Sequence, residues 1–449
     1  MTRKQKKNLR PKSRAAAHKA SPAKKPRAPS GATAPTDPGV LRRYAEPKFV
    51  PLKPGEVSSG EQNEYTAANQ FYSQFGSLRN LPPRGPNAPD FMDLTEVLGA
   101  DAVNQIKAGG QLVFHSVGDT GADKQFRVKP EADVASAMAA GLQMAKVTER
   151  PAFFFHLGDV VYEFGQPDCY YAQFYEPYCM YNAPIFAVPG NHDGMVWSQT
   201  QTSLAAFLAN FCSPAVQPAA NAGALHRTTM NQPGAYFTLE TPFASIVGLY
   251  SNTQDKGTGV ISTPDPVGPK SAVGQAQKNF LIREAKRLAA ARAAGNFKAF
   301  IVAVHHPPYK GTDTSVTGFC SDLDDAFTKG GLWPDVVLSG HEHDYSRYTR
   351  NINGRQIPYV VAGSGGYNLT PTAPPSDPNA KVPAQMAKNN PMLRAYIKGD
   401  GYLKVKVNSS KLAVVFNCLD PAYGNAADSV VVDLNTHVVT EVAKGVEPL

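Results

Sequence analysis

The sequence predicts an α/β layered fold with a mixed sheet, and two observations carry that expectation. From residue 111 onward, short apolar runs alternate with helical patterns, the rhythm of strands joined by crossover helices. Near the end, residues 402–416 and 429–434 alternate apolar and polar residues, as antiparallel strands do. In chain order, Leu112–Val117 reads as a strand, 131–147 as a helix and 153–157 as a strand, after which a Tyr-rich stretch leads to a strand at 184–188. Residues 236–239 and 244–250 read as a β-hairpin and 275–293 as a helix. Ala299–Val304, Val336–Ser339 and 357–362 read as strands. Two long loops, 251–274 and 363–391, interrupt the pattern, and loops of that length usually serve function or move. The lead-in 46–110 is irregular, with helices expected at 61–75 and 92–107 around the Pro-rich LPPRGPNAPD.

A chain of 449 residues is long enough to bury a core without disulfides. No apolar run approaches the roughly 18 residues needed to span a bilayer. The start, MTRKQKKNLRPKSR, has no apolar segment after its charges and so no recognisable secretory signal. The default expectation is a cytoplasmic protein, with export by another route left open. The five cysteines show no CxxC spacing and read as ordinary thiols, with a Cys169–Cys179 pair the weaker reading.

Net charge divides along the chain. Residues 1–45 hold 13 Lys/Arg against the single acid Asp37, or +12, while the remainder holds 32 basic and 36 acidic residues, or −4. The tail has no apolar period to offset its ordering entropy, so it is expected to be disordered. It reads either as a solubilising segment or as a contact for nucleic acid or anionic membrane through charge alone. Nothing in it reads bases. The expected organisation is therefore a basic tail at 1–45, a lead-in at 46–110 and one catalytic domain at 111–449.

Five apolar strands end abruptly in metal-ligand residue types. They run into Gly118-Asp119-Thr120-Gly121, Gly158-Asp159-Val160-Val161-Tyr162, Gly190-Asn191-His192-Asp193, His305-His306-Pro307 and Gly340-His341-Glu342-His343. Each cluster alone fits a turn or a helix cap. Together they place Asp, Asp/Tyr, Asn/His/Asp, His and His/His at strand C-termini, where α/β sheets bind ligands.

In this order the motifs resemble those of the calcineurin-like metallophosphoesterases. The GDxG–GDxxY–GNHD–VxxH–GHxH version resembles the purple acid phosphatases in particular. Gly121 stands where the wider superfamily has a histidine, and Tyr162 matches the tyrosine ligand of the purple branch. The resemblance covers about residues 112–366. It implies a four-layer αββα sandwich of two mixed sheets flanked by helices, and a two-metal centre. Asp119, Tyr162 and His343 would bind one metal, Asn191, His305 and His341 the other, and Asp159 would bridge them. These donors suit Fe(III) at the first site and a divalent Fe, Zn or Mn at the second. His192 would assist the leaving oxygen, with Asp193 orienting it.

The activity so implied is metal-dependent hydrolysis of phosphate monoesters. A phosphodiesterase with the same centre is the alternative, and a polyanion-binding protein with a vestigial core is a third reading. His306, beside His305, either contacts substrate or packs. Glu342 brings a carboxylate between two ligand positions. Ser346 stands where the family commonly has an acid before Arg347. His115 and His156 read as core histidines, and the aromatic stripe 170–181 as core that also walls the cleft.

Overall fold

A computed structural model describes residues 88–449 apart from 123–124, 145, 163, 196–201, 253–274, 312–316, 370–381 and 383. The basic tail, the helix expected at 61–75 and most of both long loops lie outside the described residues.

Fifteen strands are seen among them. They are β1 (Phe91–Asp93), β2 (Leu112–Val117), β3 (Phe154–His156), β4 (Ile185–Ala187), β5 (Phe237–Glu240), β6 (Ala244–Leu249), β7 (Ala299–Val304) and β8 (Val336–Ser339), then β9 (Tyr345–Ile352), β10 (Arg355–Ala362), β11 (Leu393–Ile397), β12 (Gly401–Val407), β13 (Lys411–Cys418), β14 (Asp428–Asp433) and β15 (Val439–Val442). One sheet runs β1-β5-β6-β7-β8-β10-β9-β11 and the other β15-β14-β13-β12-β2-β3-β4. Both are mixed. In the first, β6, β7, β8 and β10 run parallel, while β9 lies between β10 and β11 and is antiparallel to both. In the second, β2, β3 and β4 are parallel and β12 to β15 antiparallel.

The strand sequences show why the sheets stack. In β7, Ala299, Ile301 and Ala303 join the core between the two sheets, and Phe300, Val302 and Val304 face the helices Ala276–Ala293 and Thr317–Gly330. In the other sheet, Phe114 and Phe155 face inward, while Val117 and Phe154 pack against Val134, Met138 and Phe174 on its outer side. Strands covered on both faces read as continuous apolar runs rather than alternations. The fold is two mixed sheets flanked by helices, as the sequence leads one to expect.

Some elements differ from the sequence reading. In place of a helix at 92–107, Phe91–Asp93 pairs with β5, and the helix Thr95–Leu98 is separated from Ala100–Gly109 by Gly99 at φ 80°. Burial of Met92 and Leu94 in the inter-sheet core outweighs local helical periodicity there. The helix expected from 131 spans Gln125–Gly141 and contains Pro130. A proline removes one donor but still permits helical φ. The helix Thr317–Gly330 and the strands β9, β11 and β15 were not anticipated.

Candidate metal centre

The C-terminal ends of β2, β3 and β4 in one sheet and β7 and β8 in the other meet across the inter-sheet core. Backbone hydrogen bonds tie them: Asp119 N–H donates to Gly158 O at 3.0 Å, Gly340 N–H to His305 O at 2.9 Å, and Gly118 N–H to Ala362 O of the opposite sheet at 2.9 Å. Asp119, Asp159 and His341 each turn the chain with positive φ, at 58°, 52° and 70°. This left-handed conformation is costly for residues other than glycine, and it collects at functional sites.

The structure brings all seven expected ligands together around Asp159. The Tyr162 hydroxyl lies between two carboxylates, 3.1 Å from Asp119 Oδ1 and 3.0 Å from Asp159 Oδ2. His343 Nε2 is 3.5 Å from Asp119 Oδ1. On the other side, His305 Nε2 is 3.2 Å from Asp159 Oδ2 and 3.1 Å from Asn191 Oδ1. His341 Nδ1 is 3.0 Å from the same amide oxygen. Ligand atoms of Asp159, His305 and His341 all fall within 4.8 Å of one another.

The protonation pattern shows what the cluster requires. Burial alone would lower His305, yet the charges of Asp159 and Asp119 raise it to about 9. His305 Nδ1–H donates to Leu157 O at 2.9 Å, so a second proton on Nε2 would lie between Asp159 and Asn191. Burial, then Asp119 and Asp159, hold the Tyr162 phenol well above its ordinary value. Each of these protons sits between oxygen acceptors, where a cation would satisfy the same atoms. The donor set therefore fits metal, with hard oxygens and one imidazole on the Asp119 side and imidazoles with an amide oxygen on the Asn191 side.

Gly121 has no room for a side chain. A Cβ there would stand 2.7 Å from Val160 O and 2.8 Å from Gln173 Oε1. Gly190 is equally confined, its Cβ position lying 2.0 Å from Asp159 Oδ1.

His192 donates its backbone N–H to Asp159 Oδ1 at 2.9 Å, and its ring lies 4.4 Å from that of Tyr162. Asp193 differs from the expected orienting role in the contacts it makes. Its carboxylate accepts the backbone N–H groups of Gly190 at 2.8 Å, Val160 at 3.1 Å and Val161 at 3.3 Å, and so pins the second and third motif loops to each other. Glu342 forms an ion pair with Lys310 at 3.1 Å. His306 is buried and kept neutral by burial and by its neighbour His305.

Sequence reasoning missed three contributors. Gln173 clamps the Tyr162 backbone, accepting its N–H at 2.8 Å and donating to its carbonyl at 2.9 Å. Tyr367 stacks on Tyr162, and Ser251 holds His306. The glycine run 363–366 and the loop start at 251 were the only signals for the last two. His156 is a satisfied core histidine that holds the motif loops, bonded to Thr120 Oγ1 at 2.9 Å and to Gly158 N–H at 3.1 Å. Cys169 and Cys179 are both free thiols.

Residues 114–345 match the calcineurin-like phosphoesterase family, and the chain belongs to that family. Among solved structures it is similar to GAP50, the anchor in the inner membrane complex of Plasmodium, at 14% identity over 70% of this chain and 86% of that one, with a TM-score of 0.46. It is also similar to PhoD, at 14% identity over 75% of this chain and 72% of that one, with a TM-score of 0.48. No curated protein sequence matches it. Family membership supports phosphoester hydrolysis as the chemistry of the site, in a family that generally uses a pair of divalent metals. No helix among the described residues is long and apolar enough to cross a membrane.

Proposed function

We propose that the protein is a phosphomonoesterase of the purple acid phosphatase type with a binuclear centre. Asp119, Tyr162 and His343 would hold Fe(III), Asn191, His305 and His341 a divalent Fe, Zn or Mn, and Asp159 both. The single observation that carries this reading is Tyr162, set between Asp119 and Asp159, opposite a Gly121 that can accept no histidine. When bound, such a metal pair neutralises phosphate charge and lowers the pKa of a water between the ions.

The chain's own residues do the rest. Asp159 supplies a carboxylate to each side of the cluster. His192 donates a hydrogen bond or proton to the leaving oxygen. Asp193 fixes the loop that carries His192 and Asn191. The catalytic domain occupies residues 111–449, with β1 added at the edge of the first sheet.

The test is turnover of p-nitrophenyl phosphate against its bis-ester, with metal analysis of the same protein. Preference for the monoester with two metals per chain is expected. Preference for the bis-ester would make the enzyme a phosphodiesterase, and metal-free inactive protein would overturn both assignments. The +12 charge of residues 1–45 supports a separate, salt-sensitive contact with polyanions or anionic membrane. That contact should vanish on deletion of the tail while kcat is unchanged.

A further inference from the structure

His306 carries a buried ring nitrogen without a hydrogen-bond partner beside the candidate metal centre. Its backbone N–H donates to Ser251 Oγ at 3.0 Å, and the same oxygen lies 2.8 Å from His306 Nδ1. One hydrogen is shared between Ser251 Oγ and Nδ1, and either the hydroxyl or the ring can supply it. With the hydroxyl as donor, the ring hydrogen of a neutral imidazole sits on Nε2. That atom is buried and has no hydrogen-bond partner. The His306 ring lies 4.3 Å from the ring of His341 and 5.2 Å from that of His305. The nearby Lys310 is engaged with Glu342 at 3.1 Å.

Buried donors are rarely left open in folded proteins, and an exception calls for a specific reason. Packing alone does not supply one, because an apolar ring would fill the same space without an unmet donor. A metal-ligand role would need the opposite tautomer, with Nδ1–H donating to Ser251 Oγ, and metal content separates the two.

We propose that His306 is a substrate-contacting residue whose Nε2–H donates to an oxygen of the phosphoryl group held on the Asn191–His305–His341 side. Ser251 is the positioning residue that fixes its tautomer. The inference rests on the phosphatase reading and adds a named recognition element to it. The ligand class is a tetrahedral oxyanion, with phosphate as both product and probe.

The experiment measures inorganic phosphate binding to metal-loaded wild-type, His306→Phe, His306→Gln and Ser251→Ala proteins, together with metal content and kcat and KM for p-nitrophenyl phosphate. His306→Phe should keep wild-type metal content and bind phosphate about tenfold or more weakly. His306→Gln, which keeps an amide donor, should recover part of that loss. Ser251→Ala should weaken phosphate binding with metals retained, and it decides the matter if His306→Phe does not fold. Unchanged phosphate affinity in His306→Phe or, where that variant does not fold, in Ser251→Ala overturns the inference alone. So does weakening that merely follows metal loss. Wild-type protein that binds neither metal nor phosphate overturns the phosphatase reading and this inference with it.

Discussion

Tyr162 and Tyr367 lie face to face, their ring centroids 3.5 Å apart and their planes 2° from parallel. Tyr367 is held there because its backbone N–H donates to Asp119 O at 3.0 Å. The same loop that supports one carboxylate thus clamps the phenol that faces it. With its ring fixed, Tyr162 presents its oxygen to both Asp119 and Asp159. Oxidised, iron-loaded protein is therefore expected to be coloured through phenolate-to-Fe(III) charge transfer. Tyr162→Phe should abolish the visible band while retaining part of the metal. A colourless iron-loaded wild type would remove Tyr162 from the ligand set.

His192 offers a test of leaving-group assistance. His192→Asn should keep the metals and lower kcat by roughly 10²–10⁴. The loss should shrink for esters with good leaving groups, which need little protonation. A loss of equal size across a leaving-group series would instead mark His192 as a positioning residue.

Arg347 and Asp428 tie the two sheets together from inside. Arg347 Nε, on β9, donates to Asp428 Oδ2, on β14, at 2.6 Å, and Tyr345 Oη donates to the same oxygen at 2.7 Å. Both partners of the ion pair are buried. Asp428→Ala should cost about 3–5 kcal/mol in urea unfolding, because it leaves a buried guanidinium without its carboxylate. The double variant Arg347→Met/Asp428→Leu should recover most of that loss.

Two buried imidazoles are a source of acid lability. Burial first, then the Lys404 charge, lowers His115 to about 3, and burial with the charge of His305 lowers His156 similarly to about 3. Below the ordinary value near 6.5 the unfolded chain takes up protons that the folded chain refuses. The contribution of these two histidines to stability therefore rises with pH between about 3 and 6.5 and is lost as the solution is acidified through that window. Asp193 and Asp344 contribute in the opposite sense, because burial raises their carboxyls to about 7. Each group accounts for about 2 kcal/mol by pH 5, at about 1.4 kcal/mol per pH unit. His115→Gln keeps a partner for Tyr181, which lies 3.3 Å from His115 Nδ1. It should shrink the drop in Tm between pH 7 and pH 5, and an undiminished drop would exclude His115 as a source of acid lability.

The ligand clusters were legible in the sequence because each directly follows an apolar strand, so local pattern and site position coincide. Tyr367, Gln173, Ser251 and Asp428 were not legible, because their roles exist only through tertiary contact. Ser346 illustrates the point. Sequence comparison marks it as a missing acid beside Arg347, yet Asp428 from the other sheet supplies the carboxylate. The helix Thr317–Gly330 was readable in principle, since its buried Phe319, Leu323, Ala326 and Phe327 follow helical spacing. By contrast, the three-residue β1 has no periodicity to read. Its strand form comes from pairing with β5, far along the chain.

The left-handed turns at Asp119, Asp159 and His341 set up an opposition between durability and chemistry. Glycine at any of the three would relieve the backbone while deleting a side chain from the cluster. A directed-evolution campaign scored only on heat resistance of metal-free protein would drift toward those glycines and collect folded, inert variants. Selection on this scaffold must therefore score turnover and thermal survival together, because at these three positions improvement in one is loss of the other.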